Sequence, residues 1–115
     1  MTLLRVIKAI GKNNVGVNLD PANLLMYGKA NPLDALDILG PYVKGVHAKD
    51  GEYPTDPNNL GCEKPLGEVR VNFPMLVAKL KSFGFDGALT IEREISGPQQ
   101  IEDIKQAIRI LTPLL

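Results

Sequence analysis

The feature that most constrains this chain is a threefold repetition. Three β-rich runs, "VGVNLD" at 15–20, "VKGVHAKD" at 43–50 and "GALTIERE" at 87–94, each end on polar or charged residues. Each is flanked by segments with apolar residues at helical spacing. Leu3, Val6, Ile7 and Ile10 predict a helix over 2–13 with one buried face, stopped by Gly11 and the Asn13-Asn14 pair. Asn31 as N-cap, Pro32 at the first helical position and Asp34 in the first turn predict a helix to about Gly40 with Leu33, Leu36 and Leu39. Asn72 heads a third, carrying Phe73, Leu76, Val77 and Leu80 and stopped by Gly84. Gly97-Pro98 opens a fourth with Ile101, Ile104, Ile108 and Leu111 on one face. Residues 51–70, rich in Gly, Pro, Asn and Asp, read as a long functional loop.

Alternating strands and helices imply an α/β fold with a parallel sheet and right-handed crossovers. Ligands in such sheets gather at the carboxyl ends of the strands. At that edge each strand delivers a metal-competent side chain: Asp20, His47 and Glu92. Neighbouring strands lie about 4.8 Å apart, so groups at matching heights can converge on one ion. Two carboxylates and an imidazole suit Mn²⁺, Mg²⁺, Co²⁺ or Zn²⁺. Each residue also has a structural reading. His47 is the only histidine and a hydrogen-bonded strand-end residue on that view; Asp20 before Pro21 is a turn or helix cap; Glu92 pairs with Lys49 or Arg93. Lys49 alternates in phase with His47 and would meet a substrate oxygen or anion, while Asp50 would fix the loop.

Composition removes other classes. Thirteen basic and thirteen acidic residues cancel without forming blocks, which disfavours a phosphate-backbone or anionic-membrane surface. No apolar run approaches the roughly 20 residues of a membrane span. Cys62 is the single cysteine and no secretory signal is visible, so a reducing, cytoplasmic setting is expected. The length suits one domain, with strand–helix units near 15–40, 43–83 and 87–115 after the first helix.

The motifs "VNLDPANLL", "VKGVHAKDG", "KPLGEV", "VNFPMLVAKLKSFGFDG" and "LTIERE", in this order, resemble the C-terminal part of the xylose isomerase-like TIM-barrel superfamily of sugar phosphate isomerases and epimerases. The resemblance implies the last three βα units of a (β/α)8 barrel, an incomplete barrel by itself. It implies a divalent metal held by a Glu, an Asp, a His and a Glu from the fifth to eighth strands. Asp20, His47 and Glu92 match the last three; the fifth-strand Glu has no counterpart, and residues 2–13 match the helix after that strand. The implied chemistry is proton transfer next to a sugar carbonyl, with Glu92 as both ligand and acid or base. Without the opposite Glu, the chain alone is expected to be inactive. The alternative is a non-enzymatic scaffold or self-associating half-barrel, whose open strand edges would make it a homo-oligomer if stable alone.

Asn23 stands where some members carry a substrate-contacting His, which makes it a substrate-binding candidate and leaves the substrate open. Glu94 is either support for the metal site or a surface charge, and Gly67 and Glu68 shape the returning loop. A second branch resembles endonuclease IV, which cuts DNA with three zinc ions and needs several histidines. Asn23, Gly61 and Glu63 occupy those places here, so that branch is disfavoured.

Overall fold

The computed structural model describes residues 2–68 and 70–115; Met1, and Val69 at the end of the "KPLGEV" motif, lie outside the described residues. Three strands, β1 (Val17–Leu19), β2 (Val43–Ala48) and β5 (Leu89–Ile91), form a parallel sheet in the order β1-β2-β5. The sheet is open at both edges, and no barrel closes among the described residues. Helices α1 (Thr2–Ile10), α3 (Pro32–Leu39), α4 (Phe73–Ser82) and α5 (Pro98–Leu111) stand where the helical spacing places them.

The caps explain several boundaries. Oδ1 of Asn31 accepts the Leu33 and Asp34 N–H groups at the head of α3, and Oδ1 of Asn72 accepts that of Met75 at the head of α4. α1 stops at Ile10, three residues before the expected end. Gly11 takes φ +60 and its N–H closes on Ile7 O, so the chain turns away before Asn13.

Three short elements carried no periodic signal, although the helix-cap reading of Asp20 pointed to the first. Asp20 caps a six-residue helix, α2 (Pro21–Met26), with Pro21 in its first turn. The loop after β2 also carries an antiparallel pair, β3 (Asp50–Gly51) with β4 (Glu63–Lys64). Too short for a period-two pattern, that pair left no trace in hydrophobic spacing.

The core lies between the sheet and the helices. Leu19, Val46 and Ala48 meet Leu25, Leu36, Phe73, Leu76, Leu80 and Leu111 there, all at most 4% exposed. Strand alternation turns the other face of β1, with Asn18, away from this core. Two expected apolar faces are corrected. α1 buries Ile7 but leaves Leu3, Val6 and Ile10 nearly half exposed, because the sheet ends at β1 and no described residue covers that flank. α5 turns Asp103, Ala107 and Leu111 inward and leaves Ile101 and Ile108 exposed, because Asp103 is drawn in by an ion pair with Arg93.

Candidate metal centre

The parallel register brings the three strand ends level. Asn18 pairs with Gly45 and His47 with Thr90, so Asp20, His47 and Glu92 each lie at or within two residues of matched positions. Their potential ligand atoms all lie within 4.8 Å of one another. Nδ1 of His47 is 3.4 Å from Oε2 of Glu92 and 3.8 Å from Oδ2 of Asp20. All three side chains are partly buried, open enough for a small ligand and sheltered enough to strengthen charge interactions. Two carboxylates and an imidazole at this spacing fit a hard-to-borderline divalent cation.

Asp20 does two jobs at once. Oδ1 accepts the Asn23 backbone N–H at 2.9 Å, capping α2, and Oδ2 accepts the Asn23 side-chain amide at 2.8 Å while facing His47. The cap and the ligand are therefore compatible, each using its own oxygen. Burial raises the Asp20 carboxyl above its ordinary pKa, with the Glu92 charge adding to it, against the pull of the Asn23 N–H and the charges of Lys49 and His47. Asn23 thereby stands at the centre, its amide engaged by Asp20.

Lys49 lies beside Glu92 and is only 2% exposed. Its ammonium donates to Glu94 Oε1 at 2.7 Å and lies 3.4 Å from Glu92 Oε2 and 3.8 Å from Glu63 Oε1. Burial works against that charge. The Glu94 hydrogen bond and the charges of Asp20, Glu92 and Glu94 outweigh it and hold Lys49 above its ordinary pKa. Glu94, lowered chiefly by its bond to Lys49, is thus tied to the site even though its side chain is largely exposed.

Two contributors escaped the sequence reading. Glu63, from β4, accepts the Glu94 backbone N–H at 3.0 and 3.1 Å and pairs with Arg93, anchoring the long loop to the segment that carries Glu92. No periodic signal marked it. Asn18 places its Nδ2 3.1 Å from His47 Nε2. Its phase with Asp20 on β1 was the available clue.

The family model for the xylose isomerase-like TIM barrel matches residues 1–114. The chain belongs to that family. A xylose isomerase domain protein from Planctomyces limnophilus superposes with a TM-score of 0.92 at 36% identity, over 98% of this chain and 42% of that one. A xylose isomerase-like TIM-barrel protein from Mycobacterium smegmatis, in complex with magnesium, superposes at 0.74 and 22% identity, over 98% of this chain and 39% of that one, and shows the shared fold. An uncharacterized protein of Methanocaldococcus jannaschii is 30% identical over 81% of this chain, and one of Bacillus subtilis 31% identical over 81%. The chain spans only 30% and 35% of the lengths of those two relatives. Among the described residues, no helix is long and apolar enough to cross a membrane.

Proposed function

We propose that this chain supplies the metal-holding strand edge of a sugar or sugar phosphate isomerase or epimerase that moves a proton next to a carbonyl. One observation carries the reading: Asp20, His47 and Glu92 converge to within 4.8 Å from three parallel strand ends. The family fold and the magnesium bound to the M. smegmatis relative support it. A divalent ion, when bound, polarises a carbonyl and its neighbouring hydroxyl. Asp20 and His47 hold position, and Glu92 exchanges the proton at the adjacent carbon. Lys49 and Asn23 act on the substrate indirectly: the Lys49 ammonium holds Glu92 in place, and the Asn23 amide fixes the orientation of Asp20. Among the described residues the metal-competent group holds two carboxylates, those of Asp20 and Glu92; we propose that the chain alone holds an ion but does not turn over sugar. Calorimetric titration with Mn²⁺ tests this. Wild type takes up about one ion per chain and His47→Ala or Glu92→Gln loses it; unchanged uptake in both variants rejects the reading.

A second reading is self-association, favoured by the unpaired outer edge of β1 and the exposed Leu3, Val6 and Ile10 beside it. Light scattering should give a homo-oligomer that Val6→Lys shifts toward monomer. A wild-type monomer at high concentration rules this out.

A further inference from the structure

We propose that Asn18 is a positioning residue for His47: its amide selects which ring nitrogen carries the proton, and hence whether Nδ1 can offer a lone pair to an ion. The inference rests on the metal reading above. Asn18 is exposed on β1 between the buried Val17 and Leu19, on the same face as Asp20. Its register partner is Gly45, and a Cβ at that position would lie 3.0 Å from Asn18 Oδ1. The glycine thus leaves room for the amide to lie across β2 and reach the ring two residues on. There Nδ2 stands 3.1 Å from Nε2 of His47. On the opposite edge of the ring, Nδ1 faces Glu92 and Asp20 at 3.4 and 3.8 Å.

A neutral imidazole carries one proton, so its two nitrogens take opposite roles. With no cation present, Nδ1–H points at the two carboxylates and Nε2 accepts from the Asn18 NH2 group. For Nδ1 to hold a cation the proton must sit on Nε2, and Nε2–H then needs an acceptor. Asn18 supplies one by turning its amide over, so Oδ1 replaces Nδ2. The amide thus serves both states without a change in the ring's charge. Leucine would serve neither state and aspartate only the second.

His47 is the single histidine of the chain, so a ring ¹⁵N NMR spectrum reports this residue alone. Metal-free wild type should show the Nδ1–H tautomer, and Zn²⁺ should move the proton to Nε2. Asn18→Asp, which can only accept, should place a proton on Nε2 without metal. Asn18→Leu should give mixed tautomers and a roughly 10–100-fold weaker Mn²⁺ affinity, and Gly45→Ala, which displaces the amide, should shift both readouts the same way. An Asn18→Leu protein with the wild-type ring spectrum and Mn²⁺ affinity overturns the proposal, as does an Asn18→Asp protein whose Nε2 stays unprotonated. Should wild type take up no Mn²⁺, the metal reading fails, and the metal-free spectra still decide the role of Asn18.

Discussion

Asp50 shows how much structure one buried carboxylate can organise. Fully buried, it accepts backbone N–H groups from Gly51, Gly67, Arg70 and Val71, closing a loop of about twenty residues onto a single side chain. Replacing it with alanine leaves several buried donors without a charged acceptor, at a cost of about 3 kcal/mol or more. Amide exchange at Gly67 and Val71 should therefore accelerate sharply in Asp50→Ala; wild-type protection there would refute its role. Asp103 gives a pH signature. Hydrogen bonds from Arg93 and Gln99 lower its carboxyl below the ordinary value, so its stabilisation is complete above the unfolded pKa and is lost as pH falls through the folded one. In urea titrations, wild type should exceed Asp103→Asn by a constant margin from pH 7 to about 5 and lose that margin below about pH 4. A margin unchanged down to pH 2 would contradict this. Alternation along one strand made the loop-fixing role of Asp50 legible. The Arg93–Asp103 pair was hidden, because a polar residue inside a helix reads as exposed until its partner is known.

At the level of elements, caps and glycines were the most legible features. Asn31-Pro32 and Asn72 announced two helices, and Asp20-Pro21 is the same signal applied to α2, where the short apolar run obscured it. The β3–β4 pair could not be read, since its pairing joins residues across a stretch without periodicity. It is held by close backbone approach. Gly61 donates to Met26 O, Glu52 donates to Cys62 O, and a Cβ on Gly61 would lie 1.8 Å from the Glu52 carbonyl oxygen. Gly61→Ala must move backbone rather than a flexible side chain, at a cost of about 1–3 kcal/mol. Because β4 carries Glu63, the displacement should also loosen the segment bearing Arg93 and Glu94. Limited proteolysis should cut the 52–62 segment faster in Gly61→Ala than in wild type; equal rates would show the contact to be dispensable.

Over the whole molecule, the order of helices and strands implied a parallel sheet and placed Asp20, His47 and Glu92 at one edge, as the fold has them. Which helix faces meet the core was less legible. Hydrophobic spacing identifies a stripe, while the sheet edge and the inward pull on Asp103 decide how much of it is covered. The same open sheet leaves one flank of β1 uncovered and keeps the polar strand ends accessible. Whether that edge takes up a cation therefore decides what the chain does. Anomalous diffraction from a crystal soaked in Mn²⁺ tests it most directly: a single peak within roughly 2.0–2.4 Å of His47 Nδ1 and of carboxylate oxygens from Asp20 and Glu92 is predicted. A map with no peak among these three residues, or with Mn²⁺ bound only elsewhere, would contradict it.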